Sequence, residues 1–240
     1  MRIQRIYFLL IVICLSFQGM SQEIQQYIDD EYVSEDVFGI SKGTNGGIIS
    51  GFYYRHSQVQ ANGSLINYGV ELVNIKHPRE ARRTTFTGST FVFGKSNYLI
   101  SVRPTYGREK ILFKKAPQQG ARITVMAAAG PAFGLEVPYF VDLSNGRSEQ
   151  YDPNEPTHAV ASIQGARSIL RGVTQGSIVL GAHAKTSLTF ETNSTKKRVF
   201  GIEVGFTIDA YTREIEILPE ANNRSVYTAG FFAIYFGRRR

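Results

Sequence analysis

The sequence has one cysteine, Cys14, no tryptophan and only eight prolines among its 240 residues. Cys14 lies inside the apolar run 6–17, so the rest of the chain has no thiol for a disulfide, a metal ion or nucleophilic catalysis. The residue before it is Ile13, whereas the lipidation signal of a lipoprotein has a small residue there. These absences argue against a disulfide-stapled scaffold, a thiol enzyme and a lipid anchor.

Long apolar runs are also scarce. The run 6–17 is too short to cross a hydrocarbon core of about 30 Å as a helix, and no later segment is long enough. Arg2 and Arg5 precede this run, and the small residues Gly19 and Ser21 follow it, which predicts a secretory signal peptide over 1–21. An uncleaved anchor is the alternative. If the exported chain enters a membrane, it must do so with strands.

Aromatic residues and glycine are plentiful, with 13 Tyr, 16 Phe and 23 Gly. This mixture favours many strands joined by tight turns over long helices. No repeat, low-complexity tract or linker divides the chain. We therefore predict a short N-terminal periplasmic segment over 22–35, followed by a single β domain over 36–240.

The strongest pattern is an alternation of apolar and polar residues with a period of two. In one segment the apolar face consists of Tyr98, Ile100, Val102, Pro104 and Tyr106. The segments with this pattern, or with apolar residues on both faces, are 37–42, 46–56, 66–72, 98–107, 122–133, 177–190, 200–209 and 226–236. About eight strands is the smallest number found in outer-membrane barrels.

The connections between these segments differ in length. Those at 58–64 and 192–196 are short, whereas those at 76–95, 137–176 and 211–224 are long. With both chain ends on one side, short turns and long loops fall at opposite ends of a barrel. The connection at 108–119 is too long for this scheme unless its strands extend beyond the membrane. The longest connection has helical spacing that allows a short amphipathic helix or ordinary loop packing, at Ala159, Ile163, Ala166 and Leu170.

The apolar faces suit contact with lipid. No Lys, Arg, Asp or Glu lies on the apolar face of the segments around Ile100, Val125, Leu180 and Val204. A charge at the bilayer midplane costs about 2–4 kcal/mol on the outside of a barrel. Tyr98 and Tyr106 end one apolar face about 26 Å apart along a strand, as expected for two aromatic girdles. The pattern predicts an all-β fold, namely an antiparallel up-and-down transmembrane β-barrel of about eight strands.

The chain resembles the small outer-membrane β-barrel proteins of the OmpA/OmpX-like group, in particular an uncharacterised subgroup that ends in an aromatic strand and a short basic tail. The resemblance rests on the signal peptide, the alternating strands and the final segment 231–236, Phe-Phe-Ala-Ile-Tyr-Phe. It implies a location in the cell outer membrane after signal-peptide cleavage, and recognition by the outer-membrane insertion machinery through Phe232, Ile234 and Phe236. In the strictest form of that signal the aromatic residue is last, whereas here Gly237 and three arginines follow. The resemblance implies fold and location, not an activity.

Several charged residues fall on the faces opposite to the apolar ones. The residues predicted to point into the barrel are Glu71, Arg103, Arg122, His183, Lys185, Glu203 and Asp209. Three acids and three bases, besides His183, indicate a mutually paired interior, because buried charges need partners. An open pore is not expected, since about eight strands leave room only for side chains.

The formal net charge of +7 is concentrated in the connections and at the C-terminal end. Arg79, Arg82 and Arg83 form one basic stretch, for which we expect contact with outer-membrane lipid, such as lipopolysaccharide phosphate, rather than nucleic acid. A solvated loop is the alternative interpretation. The sequence has no metal-ligand spacing or cofactor motif, so no cofactor is expected.

The predicted function is a non-enzymatic integral outer-membrane barrel. It would have a structural role, or assist a surface or secretion assembly by contacting a partner protein of the envelope or lipopolysaccharide. One alternative is a membrane-lipid-modifying barrel enzyme that uses His56 and Ser57, or His183 with Glu203. Another is a soluble periplasmic ligand-binding barrel.

Overall fold

The computed structural model describes residues 32–113, 121–191 and 197–240, and its eight longer barrel strands close into an antiparallel barrel. The strands of these residues are β1 (Ser34–Gly43), β2 (Gly51–Val59), β3 (Leu65–Ile75), β4 (Ala81–Thr84), β5 (Thr90–Phe93), β6 (Asn97–Phe113), β7 (Arg122–Pro138), β8 (Phe140–Leu143), β9 (Ser148–Gln150), β10 (Ile163–Ala166), β11 (Ser177–Glu191), β12 (Arg198–Ile215) and β13 (Arg224–Arg239). The barrel consists of β1, β2, β3, β6, β7, β11, β12 and β13, and each pairs with the next along the chain. Because β1 also pairs with β13, the sheet has no end. The predicted all-β up-and-down barrel of about eight strands is confirmed.

Each barrel strand follows the period-two pattern, because successive residues of a strand point to opposite faces of the wall. In β13, Ala233 and Tyr235 point inward and are buried, whereas Phe232, Ile234 and Phe236 point outward and are exposed. The wall is uneven in height. Strands β1, β2 and β3 have 10, 9 and 11 residues, whereas β6 and β12 have 17 and 18.

The two ends of the barrel differ. We call the end where β1 begins and β13 ends the short-turn end, and the opposite end, where the connections 76–96 and 139–176 lie, the long-loop end. The connection at 108–119 was too long for a short turn. Strand β6 extends to Phe113, so the first part of that connection belongs to the barrel wall, and β7 begins at Arg122.

The N-terminal boundary is only partly visible. Strand β1 begins at Ser34, inside the segment 22–35 that was predicted to precede the barrel. The predicted signal peptide 1–21 and residues 22–31 lie outside the described residues. Within the residues described, no helix is both long enough and apolar enough to cross a bilayer.

A small folded unit at the long-loop end, which we call the loop module, is built from β4, β5, β8, β9 and β10. Strands β4 and β5 form a hairpin, and β8 pairs with β9 and β10. Its apolar core consists of Phe91, Tyr139, Val141, Leu143, Tyr151 and Ile163. The amphipathic helix that the spacing allowed is wrong, because Ile163 begins β10 and the turns around it are 3-10 helices of three residues. Gly165 and Gly172 disfavour a continuous helix there.

Candidate functional site

The charges inside the barrel form one continuous chain of ion pairs, which we call the central network. Its six charged members alternate in sign from one ion pair to the next, in the order Asp209, Arg103, Glu71, Lys185, Glu203 and Arg55. They come from β2, β3, β6, β11 and β12, so the network links strands across the lumen. Three acids and three bases balance in charge, which is the condition for burying them together.

Glu203 is the most heavily contacted acid of the network and is fully buried. Arg55 Nη1 donates to Glu203 Oε2 at 3.0 Å, and Lys185 Nζ lies 3.1 Å from Glu203 Oε1. The hydroxyls of Tyr53 and Ser187 donate to the same carboxylate at 3.0 and 2.9 Å. Two positive charges and two hydroxyls therefore compensate this buried carboxylate.

Glu71 and Asp209 anchor the other half of the network. Lys185 Nζ donates to Glu71 Oε1 at 2.6 Å, and Arg103 Nη1 lies 3.6 Å from Glu71 Oε2. Arg103 Nη2 donates to Asp209 Oδ2 at 2.6 Å. His183 Nδ1 lies 3.1 Å from Asp209 Oδ1 and its Nε2 lies 3.8 Å from Glu71 Oε2, so the imidazole lies between these two acids.

A second group of buried charges, the lower cluster, lies inside the short-turn end. Its members are Glu35, Glu109, Arg122, Glu191 and Arg239. Arg239 Nε donates to Glu35 Oε2 at 2.8 Å, and its Nη2 bonds to Glu191. Arg122, predicted together with the central residues, lies here, 3.8 Å from Glu191, because it is the first residue of β7.

Sequence reasoning missed Arg55 and Arg239 as interior residues. The alternation along β2 is weak, since aromatic residues lie on both of its faces at Tyr53 and Tyr54. The period of two nevertheless places Phe52, Tyr54 and His56 on the outward face. Arg55 lies between two of these residues, so the same period would have assigned it to the lumen. Arg239 follows the predicted end of the last strand, and the strand in fact extends through it.

Apolar layers cover the central network on both sides. Toward the long-loop end lie Val73, Ile75, Leu99, Ala132, Val179, Tyr211, Ile215, Ile217, Leu218 and Tyr227. A second apolar cluster includes Val37, Val199 and Tyr235 nearer the short-turn end, and Tyr53 and Ala233 level with the network, opposite Glu71 and Glu203. A cavity of about 30 Å³ touches Glu71, Arg103 and Lys185, which is the space of about one water molecule. The lumen of the described barrel is therefore filled by side chains.

The outside of the barrel carries an apolar belt. Its exposed members include Phe38, Phe52, Leu72, Ile178, Leu180, Phe206, Phe236 and Ile234. Phe206, in the middle of β12, is 71% exposed. Lys42, an outward charge near the long-loop end of β1, lies opposite Phe232 of the belt, and its long stem lets the ammonium group reach toward water. A soluble monomer rarely exposes so large an apolar surface.

Aromatic side chains form the last outward row of the belt at the short-turn end. This row, the aromatic girdle, consists of Phe38, Tyr54, Tyr68, Tyr106, Phe200 and Phe236. The next outward position toward the short-turn end is charged or titratable on five of these six strands, with Asp36, His56, Arg108, Arg198 and Arg238. The Tyr68 and Tyr106 rings are 5.4 Å apart, and Tyr54 Oη donates to Asp36 Oδ1 at 2.7 Å.

The two tyrosines predicted for the girdles differ in their surroundings. Tyr106 is 48% exposed and belongs to the aromatic girdle. Tyr98 is half-buried, because the ring of Tyr139 from the loop module covers it at 5.2 Å and Lys95 Nζ lies 4.4 Å from its ring centre. Tyr98 therefore contacts the loop module, whereas Tyr106 faces outward. Burial also lowers the pKa of Lys95, against the opposing effect of Glu80.

The basic stretch at the long-loop end is exposed but does not form one surface. Arg79, Arg82 and Arg83 all have solvent-exposed side chains. Arg82 and Arg83 are consecutive residues of β4, so they point to opposite faces of the hairpin. The Arg83 guanidinium lies over the Phe93 ring, 4.1 Å from its centre. The three guanidinium groups thus present separate positive charges around the hairpin.

The residues considered for lipid-modifying catalysis are not brought together. His56 points outward, with Nδ1 2.7 Å from Asp36 Oδ1, whereas the neighbouring Ser57 points inward and is fully buried. His183 contacts Asp209, and Glu203 is occupied by other partners. Among the described residues, no group of three His, Cys, Asp or Glu side chains has an arrangement that could hold a metal ion.

Comparison with solved structures gives several distant similarities, three of which follow. Ail, the attachment invasion locus protein of Yersinia pestis, in complex with the heparin analogue sucrose octasulfate, is 10% identical, with a TM-score of 0.39 over 88% of this chain and 99% of that chain. The N-terminal β-barrel domain of Pseudomonas aeruginosa OprF is 8% identical, with a TM-score of 0.36 over 87% of this chain and 98% of its own. Neisserial surface protein A is 9% identical, with a TM-score of 0.35 over 87% and 96%.

No protein-family model matches the chain, and no curated protein matches it either. With TM-scores this low, the three similarities assign neither a family nor an activity to it. A functional assignment therefore depends on the barrel's own residues.

Proposed function

We propose that this chain is an integral β-barrel of the bacterial outer membrane with a non-enzymatic role. The observation that carries the proposal is the inverted polarity of the barrel, with ion pairs inside and an apolar belt outside. In a soluble barrel the apolar face would fill the lumen and charges would cover the outside. A belt of uncharged outward residues, bounded by an aromatic girdle, is what a bilayer requires.

The direct test of this proposal is membrane fractionation of the expressed chain, followed by gel electrophoresis with and without boiling. Recovery in the outer membrane with a band that shifts on heating is expected. Recovery in the soluble periplasm without a heat shift would contradict the proposal and favour the soluble ligand-binding barrel.

The filled lumen and the separated histidines support a non-enzymatic role. The central network uses its charges on one another, and the cavity beside it has room for about one water molecule. An enzyme acting on lipid would need its base and its nucleophile on the same outward face, which His56 and Ser57 do not provide. Purified barrel is therefore expected to release no fatty acid from membrane lipids, and measurable acyl hydrolysis lost in His56→Ala would contradict this.

The long-loop end is the proposed contact site for lipopolysaccharide or an envelope protein. The loop module has its own apolar core, so it offers a defined surface rather than loose loops. Arg79, Arg82 and Arg83 add exposed positive charges beside it. Charged loops at this end suit phosphate groups on the membrane surface.

Binding of purified barrel to lipopolysaccharide tests this contact. The triple change of Arg79, Arg82 and Arg83 to Ala is expected to weaken binding, and added salt is expected to weaken it further, because exposed charge attraction is screened. The matched control changes three other exposed arginines of the same end, Arg147, Arg171 and Arg224. If both triple variants lose the same amount of lipopolysaccharide binding, or if added salt does not weaken binding, lipopolysaccharide is not the partner of this surface. Either result would favour a protein partner.

A further inference from the structure

The basic tail of the chain divides its charges between the two faces of β13. Arg239 points inward and bonds to Glu35 and Glu191 in the lower cluster. Arg238 and Arg240 are exposed, and Arg238 lies on the outward face, two residues beyond Phe236. The tail therefore closes the lumen with one guanidinium and presents the others at the rim of the belt.

Arg238 lies directly opposite Arg198 of β12 in the barrel register. Residues opposite each other in an antiparallel pair have Cβ atoms about 4.5–5.5 Å apart, and like charges in that position repel. Asp36 of β1 lies opposite Arg238 on its other side, but its carboxylate is bonded to Tyr54 and His56. Neither guanidinium is within ion-pair distance of a carboxylate among the described residues, and the adjoining turn 192–197 contains no acidic residue. An unpaired arginine pair of this kind is stabilised by an anion bound between them.

An apolar groove beside the arginine pair indicates which kind of anion can bind there. The pair borders an open groove of about 640 Å³ whose apolar side is formed by Phe38, Phe200 and Phe236. These three rings belong to the aromatic girdle and lie one outward position closer to the belt. Arg240 stands at the same groove, with Nη2 4.0 Å from Asp36 Oδ2. The site thus joins positive charge to an apolar wall.

We propose that Arg198 and Arg238 bind the phosphate group of a phospholipid whose acyl chains lie along Phe200 and Phe236. Planar guanidinium groups match phosphate oxygens in a bidentate geometry that lysine does not offer. The proposal rests on the proposed function, since it needs the belt to lie in a bilayer. In that membrane the short-turn end faces the periplasm, where the leaflet consists of phospholipid and not lipopolysaccharide.

The test uses the barrel refolded into phosphatidylcholine vesicles that contain a trace of spin-labelled phosphatidylglycerol. The preference for the labelled lipid over the host lipid is read from the immobilised part of the spectrum. The double variant Arg198→Gln with Arg238→Gln is expected to lower this preference about tenfold, because it removes both charge-assisted donor groups that hold the same phosphate. The matched control, Arg108→Gln with Lys110→Gln, removes the same charge from outward positions of β6 that face no second basic residue across the sheet, and should change the preference less than about twofold.

The outcomes separate this site from a general effect of charge. Equal loss in the two double variants, or no loss in either, would overturn the paired site. A spin-labelled lipid A that binds better than phosphatidylglycerol and responds to the same two arginines would overturn the phospholipid as occupant. A heat-shifted band and protease protection of the parent protein are measured in the same vesicles. If the parent lacks both, the proposed membrane function itself has failed.

Discussion

The barrel wall and the loop module expose opposite kinds of side chain. The barrel buries the ion pairs of the central network and exposes residues such as Phe206 and Leu180. The loop module buries Phe91 and Ile163 and exposes arginines. Both are made of strands from one chain, so strand formation alone does not decide which residues are hidden. Under the proposed function, each region is arranged for its own surroundings, lipid around the barrel and water around the loops.

The largest expected effect comes from breaking the central network. Glu203→Gln removes the carboxylate charge that compensates Lys185 and Arg55, and leaves two positive charges buried without it. We expect the free energy of unfolding to fall by about 3–5 kcal/mol, measured by urea titration of the vesicle-bound barrel with the heat-shifted band as readout. The control is Glu149→Gln, on the exposed loop module. This change should alter the free energy of unfolding by less than about 0.5 kcal/mol. If Glu203→Gln leaves the free energy of unfolding nearly unchanged, the central network is dispensable for stability.

The second largest effect is expected when a charge is placed in the apolar belt instead of in the long loops. Phe206→Lys places an ammonium group in the middle of the belt and should cost about 2–4 kcal/mol in the same urea titration. Phe86→Lys changes a side chain of the long loops that is 91% exposed and should cost almost nothing. If both changes are tolerated equally, the belt faces water and the comparison between the two regions fails.

A smaller effect is expected inside the loop module. Ile163→Val removes one methylene from its core and should destabilise the module by about 0.5–1.5 kcal/mol. The readout is limited proteolysis of the connection 139–176 in folded barrel. Cleavage should become faster while the heat-shifted band stays unchanged, because the barrel does not depend on this core. Ile48→Val, at an 88% exposed position, is the control, and simultaneous loss of the heat-shifted band would show that the two regions unfold as one.

The smallest effect concerns alkaline pH and the same module. Burial raises the pKa of Tyr139 above its ordinary value of 10.0. Above about pH 10 the unfolded module loses this proton first, so its stability falls as the pH rises further. Proteolysis of the module should therefore accelerate as the pH rises above about 10, and Tyr139→Phe should reduce that acceleration. An identical pH response in the variant would assign the effect to other groups.

Much of the barrel was accessible from the local pattern. The period-two alternation predicted the number of barrel strands and the apolar faces of residues such as Ile100 and Val204, because a strand's side chains alternate whatever its neighbours are. The five short strands of the long loops were not predicted. They have three or four residues each, which is too few for a periodic signal.

The order of residues along the chain was enough to establish which side chains of each strand share a face and that one of those faces avoids charge. Which charges meet is a property of the folded barrel alone, as when Lys185 meets Glu71 across 114 residues of chain. The fold also assigned Arg122 to the lower cluster and Arg55 to the central network. Such pairings depend on the stagger of eight strands around a closed sheet. A local pattern holds no information about that stagger, because shifting one strand by two residues preserves every face and changes every partner.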